Sequence, residues 1–390
     1  MTRLATSWLV YRLTHSAWLL GITSFVGQIP LFFLAPVAGV WIDRWDRHKL
    51  LVITQSLSMI QSFALALLAL AGIITVTEVI LLMLFQGFIN AFDMPARQAF
   101  VIQMVDRRED LPNAIALNSS MVNAARLIGP AVAGIIIAAV GEGYCFLIDG
   151  ISYLAVIASL LAMRVQPRPA KPRAQNIVRE LREGWHYVTS SLPIRSILLL
   201  LAVVSLLGMP YTVLMPVFAA AILGGGPHTL GYLMSCVGVG ALAGAIALAG
   251  RRTVLGLGRV IPLSAGLFGL ACVGFGLSRS LPLSMLLLLF AGYGMMRQMA
   301  ASNTILQTIL EEEKRGRVMA FYAMAFAGMS PFGSLLAGAM AARLGAPHTL
   351  VICGTLCALS ALLFARELPR MRKFVRPIYV ELGILQAAEQ

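Results

Sequence analysis

An all-α membrane protein with about eleven full spans is the fold class this 390-residue chain predicts, from its composition, the length of its apolar runs and the one-sided placement of its basic residues. Hydrophobic residues make up 59% of the chain and charged residues 12%, against about 25% charged in a soluble domain. Apolar runs of roughly 20 residues recur along it, the length that carries a helix across a ~30 Å hydrocarbon layer. Of the 30 Lys and Arg, 24 fall on alternate connections between those runs. Such an asymmetry marks the cytoplasmic side.

The runs place spans at 16–42, 50–72, 76–97, 114–140, 143–165, 196–222, 229–250, 259–278, 282–303, 317–344 and 348–366. Ahead of them, Met1–Leu13 is apolar and aromatic, but thirteen residues reach only roughly 20 Å as a helix. It reads as the outer part of a first helix whose beginning is missing, since the basic n-region and small-residue cleavage site of a signal peptide do not fit here. The basic connections are 43–49, 97–113, 164–195, 251–259, 311–317 and 366–390, whereas the opposite face carries Arg279, Arg343 and Arg12 at helix ends. Both termini and the central loop are therefore expected in the cytoplasm of a multi-pass protein of the bacterial cytoplasmic membrane. The net charge of +13 is thereby explained by topology. Nucleic acid is not an expected partner, because no soluble basic domain exists to display a binding face.

Cys145, Cys236, Cys272, Cys353 and Cys357 all fall inside apolar runs, which implies packing rather than a disulfide framework or a redox site. Cys353 and Cys357 share a helix face, but no histidine or carboxylate lies near them in sequence to complete a metal site. No metal and no cofactor are expected. His-Glu-x-x-His, Gly-x-Ser-x-Gly and phosphate-loop patterns are missing from the sequence, so the reading is not that of an enzyme.

The long polar stretch Val165–Pro193, with prolines at 167, 169 and 172, divides the chain, and its segment 176–187 has the pattern of an amphipathic surface helix. The expected domains are a six-helix bundle over 1–165, a cytoplasmic linker over 166–193, a second six-helix bundle over 194–366 and a cytoplasmic tail over 367–390. Weak self-similarity supports a repeat: Gly39 matches Gly250 at an offset of 211, Gly129-Pro130 matches Ser330-Pro331 at 201, and Ile102-Gln103-Met104 matches Leu306-Gln307-Thr308 at 204. Near-constant offsets suggest two parallel repeats related by an axis along the membrane normal. Gly240 and Gly244, and Gly266, Gly269 and Gly274, have the spacing that lets helices approach closely in lipid.

Between the second and third spans the chain reads Gly39-Val-Trp-Ile-Asp43-Arg44-Trp-Asp46-Arg47-His48-Lys49. This loop resembles the cytoplasmic motif of the major facilitator superfamily, with Asp46 where that motif more often has glycine and His48 shifting the last basic residue. The Asp-Arg-x-Asp-Arg form, with the runs Ala96-Arg97-Gln98-Ala99 and Leu111-Pro112-Asn113-Ala114, is similar to the exporter-like branch related to enterobactin exporters. The resemblance implies two pseudo-symmetric six-helix bundles acting by alternating access. Gly39 would then clear space where the second helix meets the eleventh, and Asp43 would face that helix's positive N-terminus near Gly316. Arg47 would pair with Asp93, making Gly39, Asp43, Arg44, Arg47, Lys49 and Asp93 a cytoplasmic latch. A cluster that serves only topology is the alternative.

In the fifth span, Arg126-Leu-Ile-Gly129-Pro130-Ala-Val-Ala-Gly134 is similar to the superfamily's antiporter motif, and an ordinary proline kink is its alternative. In the fourth, Gln86-Gly87 matches the end of a superfamily motif, but Met83 stands where that motif has arginine. Ionisable groups within spans cost ~2.5 to 3.5 kcal/mol and mark function, which singles out Arg126, Asp149 and Arg297 as coupling residues or, alternatively, as structural polar anchors. Gln28, Asn90, Ser119, Asn123, Tyr211 and Gln298 are the expected lining of a pocket. The 19 methionines suit adaptable walls for a variable solute. The expected function is proton-coupled export of a small amphipathic solute, such as a siderophore, drug or metabolite, by a monomer. A lipid or lysolipid flippase and a non-transporting truncated remnant are the alternatives.

Overall fold

The computed structural model describes residues 1–42, 45–101, 103–105, 107–163, 177–251 and 253–385, and no strand occurs among them. The first half of the chain forms α1 (Thr2–Thr14), α2 (Ala17–Ile42), α3 (Arg47–Leu70), α4 (Val76–Val101), α5 (Leu111–Val140) and α6 (Glu142–Ala162). After α7 (Ile177–Ser190), the second half forms α8 (Leu192–Val203), α9 (Tyr211–Val217), α10 (Pro227–Ala249), α11 (Leu257–Leu277), α12 (Leu281–Ile309), α13 (Glu312–Ala323), α14 (Met329–Leu344) and α15 (Ala346–Glu381). Among the described residues, eleven helices are long and apolar enough to cross a membrane, two of them composite, over Leu192–Ile222 and Lys314–Leu344.

Three details depart from the periodicity. Helix α15 continues past the expected end at 366 into the predicted tail, through Pro369 and Pro377, with four Arg but no glycine over 366–376, so apolar character ends before the helix does. The composite spans contain π-helical segments, Val204–Gly208, Phe218–Ile222 and Met324–Gly328. Two of these face each other, and the Ser205 hydroxyl donates to the Phe326 carbonyl, satisfying an acceptor in a turn whose ladder is offset. Finally, Asp46, the residue out of place in the loop motif, is the N-cap of α3 and accepts from the backbone N–H groups of His48 (2.9 Å) and Lys49 (3.3 Å). Such a cap contributes about 0.5–2 kcal/mol.

The chain packs as two compact units, one comprising 1–173, 212–238 and 334–346, the other 174–211, 239–333 and 347–390. In the first unit, α3 packs against α4 and α6, and α2 against α4. The α2–α4 crossing is close because Gly87 faces the carbonyl of Gly27, where an added Cβ would sit 2.7 Å from the oxygen. His48 Nε2 donates to the Leu160 carbonyl (2.7 Å), tying the start of α3 to the end of α6. Arg12 on α1 pairs with the buried Glu142 of α6 at 2.8 Å. In the second unit α11 and α12 form the tightest pair, and α7 rests on α13.

Large apolar side chains point outward at two-turn intervals. Ile53, Ile60 and Leu67 on α3 are 56%, 57% and 70% exposed, and Leu263, Leu270 and Leu277 on α11 are 72%, 64% and 65% exposed. In water such stripes would be aggregation surfaces. Here they mark the faces that meet acyl chains.

Candidate transport site

The buried face of α3 is polar through its middle, between apolar ends at Leu50, Leu51, Leu65 and Ala66. Thr54, Gln55, Ser58, Gln61 and Ser62 are all under 5% exposed. The Asp93 carboxylate of α4, itself 6% exposed, accepts from Thr54 Oγ1 (2.9 Å) and Gln55 Nε2 (2.6 Å) at Oδ1, and from Arg97 Nη2 (2.7 Å) at Oδ2. Further along, Gln86 donates to Ser58 Oγ and to Asn90 Oδ1, both at 3.2 Å. Ser62 Oγ donates to Asp149 Oδ2 of α6 at 3.1 Å. The two carboxylates are thus joined to one polar seam at points eight residues apart on α3, roughly 12 Å along the helix. Removed from water, each of these groups is costly unless partnered. The partners are supplied across three helices.

Two helix crossings in the same unit have no side chain between them. Gly21 of α2 meets Gly338 of α14: a Cβ on Gly21 would lie 2.8 Å from the Ser334 carbonyl oxygen and 2.9 Å from Gly338 Cα. Gly134 of α5 meets Gly231 of α10, where a Cβ on Gly134 would lie 2.8 Å from the Pro227 carbonyl oxygen and 2.9 Å from Gly231 Cα. Each crossing joins a helix of the first half of the chain to one of the second. Each lies toward the helix ends remote from the basic connections. Beside the first, Ser24 Oγ and Ser334 Oγ are 3.1 Å apart, and Gln28 Nε2 donates to Ser24 Oγ at 2.9 Å.

Several sequence expectations acquire definite places. Gly129 of the antiporter-like motif faces open space, with nothing within 4 Å of where a Cβ would stand, while Gly134 makes the close approach and the Pro130 carbonyl touches Gly231. The carboxylate of Asp93, expected to meet Arg47, has the guanidinium of Arg97 one turn away on its own helix. Gly316 faces open space. Tyr211 and Gln298, expected to line a pocket, are each 1% exposed, and Tyr211 packs edge-on against Phe268 at 5.9 Å. Gln28 and Asn90 are half-buried. Arg297 Nη1 donates to Tyr293 Oη (2.8 Å) with its guanidinium over the same ring, while Arg297 Nε and Gln298 Nε2 are buried without a hydrogen-bond partner among the described residues. Gly39 lies in the last turn of α2 and Lys49 is exposed in the first turn of α3. Asp43 and Arg44, and the side chains of Ser119, Asn123 and Arg126, lie outside the described residues.

Sequence alone does not single out Arg97 or the Gly21–Gly338 pair. The i,i+4 spacing of Asp93 and Arg97 on one helix is the available signal for the first. For the second, a lone glycine in an apolar run carries no mark of its partner.

Eleven helices long and apolar enough to cross a membrane among the described residues, a buried polar seam and two glycine crossings fit a multi-pass membrane protein of the major facilitator fold. The chain belongs to the family described as transmembrane secretion effector, whose model it matches over residues 1–376. It is similar to the staphyloferrin A transporter of Staphylococcus aureus (strain NCTC 8325 / PS 47), with 27% identity over 91% of this chain and 89% of that protein. It is also similar to the multidrug efflux pump Tap of Mycolicibacterium fortuitum, with 24% identity over 96% of this chain and 92% of that protein. Among solved structures, a POT family transporter in complex with 5-aminolevulinic acid shares the fold, with a TM-score of 0.73, 14% identity, and coverage of 95% of this chain and 93% of that one.

Proposed function

We propose that this chain exports a small amphipathic solute from the cytoplasm by proton-coupled alternating access, with the two glycine crossings forming the gate on the outer face. The observation that carries the reading is the pair of crossings, Gly21–Gly338 and Gly134–Gly231, each of which joins the two halves of the chain. Backbone packed on backbone is held by many small dispersion contacts. Such a contact separates and re-forms without rearranging side chains. The placement of basic residues supports a cytoplasmic location for the opposite face, and the names of the efflux and siderophore relatives support export of a drug-like or siderophore-like solute.

Asp149 is the coupling acid in this reading. It lies within a membrane-spanning helix and has the Ser62 hydroxyl as partner, and an ionisable side chain at such a place is a functional-site candidate. Gln28 and Asn90 contribute to the solute pocket, and Asp93 with the 39–49 loop forms the cytoplasmic latch. The domains are the two six-helix halves joined by the 166–193 linker, and both termini are cytoplasmic.

Cross-linking tests the gate. Ser24→Cys with Ser334→Cys replaces two hydroxyl oxygens now 3.1 Å apart, and a disulfide needs sulfurs about 2.05 Å apart. Oxidation is expected to stop efflux of ethidium and staphyloferrin A from proteoliposomes, and reduction to restore it. Full-rate efflux by the oxidised protein would sink the outer-gate reading. For coupling, Asp149→Asn is expected to abolish flux driven by an imposed pH gradient while leaving solute counterflow intact. Gradient-driven flux at the original rate removes Asp149 from the coupling step.

A further inference from the structure

Helices α7 and α13 flank a half-open cavity of about 640 Å³ whose polar lining is basic and hydroxylic: Arg182, His186, Tyr187 and Ser190 from α7, Lys314 and Arg317 from α13. The helices come together at Gly184, where a Cβ would lie 3.0 Å from the Phe321 ring and 3.4 Å from Arg317 Cβ. A larger residue there would pry the walls apart. Lys314 stacks over the Tyr187 ring at 4.6 Å and pairs with Glu311 at 2.8 Å, so its charge is partly compensated. Arg182 and Arg317 are the other two cations of the lining, and among the described residues Arg182 makes no ion pair. Burial first, and then the Glu311 carboxylate, push the Tyr187 phenol above its ordinary value against the opposing effect of Lys314. The phenol therefore keeps its proton and offers an O–H donor.

An apolar shelf adjoins this polar cavity. Trp185, next to Gly184, is 60% exposed, and its ring lies 6.0 Å from that of Phe321 on α13. Tryptophan at a polar–apolar boundary is the pattern of the membrane–water interface. Charged and hydroxylic groups beside an exposed indole match a molecule that is anionic at one end and apolar at the other. A free phosphate would use the cavity alone and leave the indole exposed to no purpose.

We infer that the α7–α13 cavity is a binding site for the headgroup of an anionic phospholipid of the adjacent leaflet, with Arg182 and Arg317 on the phosphate and an acyl chain along Trp185. The site lies outside the transport pathway proposed above and stands whatever solute is carried. Its cations sit on the linker helix and on the first part of the composite span Lys314–Leu344, so lipid binding ties the linker to that span. Basic pockets on the cytoplasmic side of transmembrane bundles are suited to such headgroups.

Lipid-borne bromine quenches tryptophan at contact, which makes Trp185 a reporter. Purified full-length protein in detergent is titrated with dibrominated phosphatidylglycerol or phosphatidylcholine, and the Trp185→Phe variant isolates the signal of that indole. Saturable quenching by phosphatidylglycerol at lower lipid fractions than phosphatidylcholine is expected. Each charge removed should weaken binding about fivefold, so Arg182→Gln with Arg317→Gln should weaken it roughly 25-fold, and Arg182→Lys should retain it. Arg182 is exposed, so Arg182→Gln alone gives the fivefold reading if the double variant melts early. Equal quenching by both lipids, or unchanged affinity in the charge-removed variants, overturns the site. Relief of quenching by inorganic phosphate at physiological ionic strength assigns the cavity to a free anion and overturns the lipid.

Discussion

Helices α3 and α11 hold corresponding positions in the two halves of the chain, and outwardly they are alike. An offset of 210 carries Ile53, Ile60 and Leu67 onto Leu263, Leu270 and Leu277, all exposed. Their inner faces differ. Helix α3 buries Thr54, Gln55, Ser58, Gln61 and Ser62, whereas α11 buries Val260, Ile261, Ala265, Phe268, Ala271, Cys272 and Phe275, with Ser264 its main polar exception. In lipid the outer faces of both must be apolar, which accounts for their likeness. The interior is where the halves are free to diverge, and the first half has used that freedom to hold two carboxylates. The seam of α3 is polar and holds the proposed coupling acid Asp149, while the inner face of α11 is packed with apolar side chains.

Substitutions on the two inner faces should separate these roles. The largest effect is expected from Phe268→Ala, which removes a fully enclosed ring packed on Tyr211 and against Gly208. A loss of about 3–5 kcal/mol is the usual cost of such a cavity, read by thermal unfolding in detergent, with the pH dependence of transport unchanged. Gln55→Leu should cost less, about 1–3 kcal/mol for the donor lost to the buried Asp93 carboxylate, and should shift the pH dependence. If Phe268→Ala moved the pH profile and Gln55→Leu did not, the contrast between the halves would be wrong. The smallest effect is expected from Ile60→Ser and Leu270→Ser on the outer stripes. Each should stay within about 1 kcal/mol, and a large difference between the two would break their equivalence.

The fold was legible because membrane physics writes it in bulk properties. Span length, apolar content and basic loops recovered eleven spans with most boundaries displaced by a few residues. The misjudged boundary, that of α15, failed because hydropathy reports the end of lipid contact and not the end of a helix. The π-helical segments left no trace, since a turn with one extra residue needs no special residue type. For the site, the loop resemblance pointed to Asp93 and the rarity of charge within apolar runs to Asp149, and the structure places both against α3. Their partners on α3 were missed because serine, threonine and glutamine at helical spacing are unremarkable until the facing helix is known. Gly134 and Gly129 show the same limit: both sit in one motif, yet only Gly134 has a helix against it.

The glycine crossings carry one more consequence. In the proposed gate the closest contacts are made by α-hydrogens and peptide carbonyls, with Ser24, Gln28 and Ser334 beside the first crossing, so little side-chain chemistry is left there with which to select a solute. On that proposal discrimination is exercised upstream, where the solute is first held. Variants with altered cargo are accordingly expected to leave Gly21, Gly134, Gly231 and Gly338 untouched, and a lineage can acquire new substrates while keeping one exit.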